Sequence, residues 1–203
     1  MICAILLAAG RSRRMGVQKL LLPFGGQTVI GHVADAILAS PVAETIVVVG
    51  PDAGGIVEAL ADRPLTIATN TNRDAEMLSS VRCGLRALPT DCETVLVALG
   101  DQPAVGSDLI ARMVRAYHGT GRHILVPVHG GRRGHPLLFS ARYRREVLTH
   151  YDDVGLRGLL EAHPRDLFEF QVRSPSVLAD MDTPEDYRRE VTRHTGSRAA
   201  PSS

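Results

Sequence analysis

Met1-Ile-Cys-Ala-Ile-Leu-Leu-Ala-Ala-Gly10-Arg-Ser-Arg-Arg14-Met-Gly16-Val-Gln-Lys19-Leu20 is the stretch from which the rest of the chain is read. Ile2 to Leu7 is an almost unbroken apolar run, the signature of a strand buried on both faces. Ala8, Ala9 and Gly10 follow at once, then Arg11 to Arg14, Gly16 and Lys19, so a strand delivers its C-terminal end into a cationic, glycine-bearing loop. Small residues let backbone N–H groups approach phosphate oxygens, while Arg14 and Lys19 supply the countercharge. Lys19 is the only lysine in a chain that otherwise uses arginine, a compact point charge kept where a planar fork would not serve. The loop is neither a Walker A nor a clean Gly-x-Gly-x-x-Gly, so its partners must come from elsewhere in the chain.

Outward from that loop, strand and helix alternate. Thr28 begins a helix to Leu38, Thr45–Val49 is a second buried strand, a short helix covers Ile56–Leu60, and Leu65–Ala68 is a third strand. Thr94–Leu99 and Ile124–Val128 continue the series, with a helix from Ser107 to Tyr117 between them, and Leu137–Phe139 and Leu167–Val172 are further short strands. This is the pattern of an α/β fold, a three-layer, doubly wound, mostly parallel sheet. The loop His129-Gly-Gly-Arg-Arg-Gly-His-Pro136 is expected to be a β-hairpin insertion projecting over the sheet. With 203 residues the chain fits one domain, expected over 1–194, and residues 195–203 read as a disordered tail.

Composition excludes several classes. A formal net charge of +1 offers no basic stripe for nucleic acid, and the absence of tryptophan removes a stacking platform for single strands. No apolar run approaches the about eighteen residues that cross a bilayer, and the N-terminal strand lacks the basic flank of a signal peptide, so a cytoplasmic protein is expected. Cys3, Cys83 and Cys92, odd in number and irregular in spacing, suggest neither a disulfide framework nor a zinc site.

Four further stretches carry chemistry. Ser79 and Ser80 stand at the start of a helix, where they either cap it or face a nucleotide. Gly100-Asp101-Gln102-Pro103 follows a central strand directly, placing Asp101 in the crevice where such sheets bind ligands. It serves a turn and helix cap, or it holds Mg²⁺, which needs only one or two protein carboxylates beside phosphate. Gly134-His135-Pro136 reads as a loop whose backbone approaches an acceptor. Asp180 and Asp182 alternate along an extended piece and point to one face, unfavourably unless a cation joins them.

In order along the chain, Leu7-Ala-Ala-Gly-x-Ser-x-Arg-Met-Gly-x-x-Lys19, Ser79-Ser80, Gly100-Asp-Gln-Pro103, Gly134-His-Pro136 and Asp180-Met-Asp-Thr-Pro-Glu-Asp186 resemble the MobA-like nucleotidyltransferases, and most closely the molybdenum cofactor cytidylyltransferases. The resemblance spans about Met1 to Tyr187, and departs from the family at Asp74-Ala75-Glu76, where members carry glycine. It implies a Rossmann-like nucleotidyltransferase fold that binds CTP and Mg²⁺ on its N-terminal half and molybdopterin on its C-terminal half. The reaction implied joins CMP to the cofactor phosphate and releases pyrophosphate, with a molybdoenzyme or its chaperone as recipient. On that pattern Leu7, Ala8, Ala9, Gly10, Ser12, Arg14, Lys19, Ser79, Ser80 and Gly100 bind nucleotide. Arg14, Lys19 and Asp101 are catalytic, Gly134, His135 and Pro136 hold the acceptor, and Asp101 with Asp180 or Asp182 holds the metal. The alternatives are another NTP or phosphorylated acceptor, a non-catalytic binding module, and a dinucleotide-dependent oxidoreductase. The last needs an acid about twenty residues beyond the loop, for which Asp35 is the candidate, inside a helix rather than at a strand end.

Overall fold

A computed structural model describes residues 1–10, 17–72 and 76–198. Arg14 and Ser12, with the rest of 11–16, lie outside the described residues, as do 73–75 and 199–203.

The opening apolar run is β1 (Ile2–Ala8), and it lies in the middle of an eight-stranded sheet. On one side it pairs in parallel with β4 (Glu44–Val49), which pairs in parallel with β5 (Thr66–Thr69). On the other side it pairs in parallel with β6 (Thr94–Leu99), in a register that sets Leu7 beside Leu99. Between β1 and β4 the chain makes a two-stranded ribbon, β2 (Pro23–Phe24) and β3 (Gln27–Thr28). Beyond β6 come β9 (Leu137–Ser140), antiparallel to both its neighbours, then β7 (Ile124–His129) and β10 (Leu167–Gln171), while the two-residue β8 (Arg132–Arg133) pairs with β7.

Alternate residues of β1 enter different cores, as a two-faced strand requires. Ala4, Leu6 and Ala8 meet α1 (Val29–Leu38), α2 (Gly54–Ala59) and α4 (Ser107–Thr120), with part of α7 (Pro184–Arg198). Cys3 and Ile5 meet α3 (Met77–Ala87), α5 (Arg144–Thr149) and α6 (Arg157–Ala162). The fold is therefore the expected doubly wound, mostly parallel α/β sheet. Thr28 caps α1, its hydroxyl accepting from the Gly31 N–H at 3.2 Å.

The loop 129–136 contains the expected hairpin, in which β8 turns back on β7 across Gly130 and Gly131, both at positive φ, and the chain then continues into β9, an interior strand between β7 and β6 whose Leu137, Leu138 and Phe139 are buried. One expectation needs correction. The tail expected from Thr195 is helical through Arg198, as the end of α7. That helix is tied down near its end, where His194 packs 4.8 Å from Phe24 and 4.9 Å from His32, ring centre to ring centre.

Candidate functional site

Three parallel strands end side by side, at Ala8, Val49 and Leu99, and their continuations form the carboxyl edge of the sheet. The Gly100 N–H donates to the Leu7 carbonyl at 2.9 Å, and a Cβ at position 100 would come within 2.9 Å of that oxygen. Only glycine allows this approach, which drops Asp101 just past the end of β1. Gly10, by contrast, has nothing among the described residues within 4 Å of where a Cβ would stand, so packing against those residues does not require glycine there.

Lys19 begins a 3-10 turn (Lys19–Leu21) anchored by Leu20, which is buried in the core. Its Nζ lies 2.5 Å from Asp101 Oδ2 and 3.0 Å from Asp182 Oδ1, bringing together residues 82 and 163 positions away in sequence. Burial alone would lower the Lys19 pKa, but the charges and hydrogen bonds of Asp101 and Asp182 outweigh it and hold the ammonium above its ordinary value. The Met181 N–H donates to the Asp101 carbonyl at 3.2 Å, and the Met181 side chain is fully buried. That one pinned residue holds the aspartates on either side of it against Asp101.

Asp180 and Asp182 do not share a partner as expected. Asp182 joins Asp101 on the lysine, whereas Asp180 Oδ1 accepts from Gln102 Nε2 at 2.6 Å. Burial, joined by the charges of Asp101 and Asp182, pushes the Asp180 carboxyl above its usual range, against the pull of Gln102 and Lys19. Among the described residues no three Asp, Glu, His or Cys side chains stand as a formed metal site. The donors nevertheless fit Mg²⁺ or Mn²⁺: they are hard carboxylate oxygens, two of them already converge on one cation, and such ions complete their shell with phosphate and water.

Gly134-His135-Pro136 comes to the same edge through the segment that precedes Asp180. The Gly134 N–H donates to Pro127 O at 2.8 Å and the His135 N–H to Val177 O at 3.0 Å. A Cβ at 134 would stand 2.1 Å from Val177 O, so this glycine serves the approach of the chain to itself. Burial pushes the His135 imidazole below its usual pKa, opposed by the charge of Asp101, which leaves a neutral ring at neutral pH beside the aspartates. Arg133 is paired with Glu169 at 2.8 Å.

Ser79 and Ser80 do not cap α3, whose N-cap is Glu76 with no side-chain bond. Both hydroxyls accept instead from Asn70 Nδ2 at 3.1 Å, and Asn70 continues β5, its N–H bonded to Val49 O. Asp101 does not cap α4 either, since Gly106 holds that position. Asn70 and Gln102 are the residues that sequence reasoning missed. Each is the first buried amide after a strand of the parallel sheet, a signal available in the sequence.

The profile of the MobA-like NTP transferase domain matches residues 4–167. A nicotine blue oxidoreductase of Paenarthrobacter nicotinovorans is 30% identical over 93% of this chain and 95% of its own. The molybdenum cofactor cytidylyltransferase of Escherichia coli K12 is 27% identical over 94% and 96%. Among solved structures, a nucleotidyl transferase from Methanothermobacter (Mth528) superposes with a TM-score of 0.85 at 32% identity, covering 97% of this chain and 99% of its own. Rv0371c of Mycobacterium tuberculosis, solved in complex with manganese, gives 0.78 at 27% identity over 94% and 98%.

Proposed function

The chain belongs to the MobA-like NTP transferase family, and from that premise we propose that it transfers CMP from CTP to the phosphate of a molybdopterin-type acceptor, releasing pyrophosphate. The family establishes a nucleotidyltransferase. The choice of CTP and of a molybdenum-cofactor acceptor is supported by the cytidylyltransferase relative and by the Gly100-Asp-Gln-Pro103 and Gly134-His-Pro136 stretches. The observation that carries the reading is the meeting of Lys19, Asp101 and Asp182 at the carboxyl edge, where an α/β sheet binds its ligand.

The backbone from Leu7 to Gly10, with Gly100, lines the end of β1 and would cradle the triphosphate, while Arg14 and Lys19 meet its charge. Asp101, with Asp180 or Asp182, would hold Mg²⁺, which supplies neutralisation of the α-phosphate when bound. Lys19 then leaves the carboxylates for the phosphate oxygens, where it stabilises the departing pyrophosphate. Ser79 and Ser80, fixed by Asn70, would face the nucleoside, and Gly134 to Pro136 would face the acceptor. A phosphate nucleophile is already ionised at neutral pH, so no general base is assigned. The chemistry is positioning and electrostatics. The product would pass to a molybdoenzyme or its chaperone.

A second reading, oxidoreduction on the same sheet, is favoured by the likeness to the nicotine blue oxidoreductase. The acid it would need at a strand tip is not supplied by Asp35, which lies late in α1 and is bonded to Arg63 Nε at 2.6 Å. Incubation with each NTP, Mg²⁺ and molybdopterin, with pyrophosphate release as readout, tests the proposal. Release with CTP above the other NTPs is expected. No release with any NTP, together with oxidation of a reduced nicotinamide dinucleotide, would transfer the case to the second reading.

A further inference from the structure

Gln102 is 2% exposed, carries no charge, and lies between the Asp101 turn and the Val177–Asp180 segment. Its Nε2 donates to Asp180 Oδ1 at 2.6 Å and, more weakly, to Val177 O at 3.4 Å, which also receives the His135 N–H. A buried amide of this kind fixes the rotamer of a carboxylate by hydrogen bonding without cancelling its charge. An arginine or lysine in the same place would orient Asp180 equally well but would neutralise it. Asp182 shows the contrast, since its partner is the Lys19 ammonium.

We propose that Gln102 is a positioning residue for the divalent ion: it aims the Asp180 carboxylate at the cation position that Asp101 and Asp182 also face. The inference rests on the reading above that these aspartates hold the metal. Gln102 touches neither substrate nor metal in this role and acts through Asp180. A partner that orients a metal-binding carboxylate contributes about 10-fold to 100-fold in metal affinity.

The test is Mn²⁺ binding to the whole protein, without nucleotide, followed by electron paramagnetic resonance of the free ion, alongside thermal melts. Gln102→Met keeps the volume and removes the donor, and Gln102→Asn keeps the amide but shortens its reach. Both are expected to weaken Mn²⁺ binding by about 10-fold or more with circular dichroism unchanged. Asp180→Asn should weaken it at least as much, and combining it with Gln102→Met should add nothing further, since the two act as one unit. In turnover, Gln102→Met should lower kcat and leave KM for the nucleotide nearly unchanged.

If Asp180→Asn weakens Mn²⁺ binding and folded Gln102→Met and Gln102→Asn do not, the role of Gln102 is overturned and the metal reading stands. Losses that simply add in the double variant overturn it in the same way. If neither Asp180→Asn nor the Gln102 variants change Mn²⁺ binding, the placing of the metal on Asp180 falls and the role of Gln102 with it.

Discussion

Two clusters of polar side chains sit at opposite edges of one sheet, and they differ in how their acids are treated. At the carboxyl edge Asp101, Asp180 and Asp182 are gathered around Lys19 and Gln102, and the Asp180 carboxyl is pushed above its ordinary range by burial and its acidic neighbours. At the amino edge, where β7 and β10 begin, Glu146 accepts from Tyr151 Oη and from His163 Nε2, and Asp166 accepts from Tyr143 Oη. Those acids are held below their ordinary range, Glu146 by donors that outweigh its burial and Asp166 by the tyrosine hydroxyl. A surface cavity of about 450 Å³ lined by Ala162 to Asp166 opens beside the second cluster. The lesson is that an opening does not by itself identify a site. Both edges match their acids with donors, but the amino edge holds Glu146 and Asp166 below their ordinary range, whereas the carboxyl edge buries Asp180 beside the like charges of Asp101 and Asp182, the feature on which the proposed ligand site rests.

That contrast breaks first at Lys19. Lys19→Ala and Asp101→Asn should each lower pyrophosphate release by about 100-fold to 1,000-fold while circular dichroism stays native, since the first removes a contact to developing charge and the second a carboxylate that would hold the metal. Near-native turnover by Lys19→Ala would take the lysine out of the site. Next in size is Gly134→Ala, whose Cβ would meet Val177 O at 2.1 Å. Stability should fall by about 1–3 kcal/mol in denaturant melts, with some loss of turnover, because the displaced segment carries Asp180.

At the amino edge, Glu146→Gln should cost about 1 kcal/mol of stability and leave turnover alone. The pH dependence has a definite sign. A carboxyl whose folded pKa is depressed contributes stability above its unfolded value of about 4, and that stability is lost as pH falls through the folded value. Thermal melts taken downward from pH 7 should therefore show the wild type losing more than Glu146→Gln. The smallest effect runs the other way. Asp180→Asn keeps an oxygen for Gln102 and removes a charge held among like charges, so it should raise stability by less than about 1 kcal/mol while lowering turnover. Matching signs at Glu146 and Asp180 would erase the contrast between the edges.

Much of the carboxyl edge is legible in the sequence, for a local reason. Ile2–Leu7 and Thr94–Leu99 are uninterrupted apolar runs that stop abruptly at small and charged residues, so strand ends and the residues just past them can be read by eye. The meeting of Lys19 with Asp101 follows once those strands are neighbours. What escapes is pairing over distance. Nothing near Gln102 announces Asp180, 78 residues on, and nothing near Asn70 announces that its amide rather than a helix cap will occupy Ser79 and Ser80. Gly134 stands out in the sequence as a backbone position open to an acceptor, whereas the close neighbour the structure gives it is Val177. The helix beyond Thr195 is hidden for the same cause: α7 is polar along most of its length, and its support comes from Phe24 and His32, far away in sequence.

The most direct test of the account is a crystal grown with CTP and Mn²⁺, measured for anomalous scattering. The account predicts a manganese peak on the Asp101 carboxylate, the triphosphate lying across Ala8 to Gly10, and Lys19 moved from the aspartates to phosphate oxygens. Manganese and nucleotide seated instead among Glu146, His163 and Asp166, with Lys19 still between Asp101 and Asp182, would contradict it.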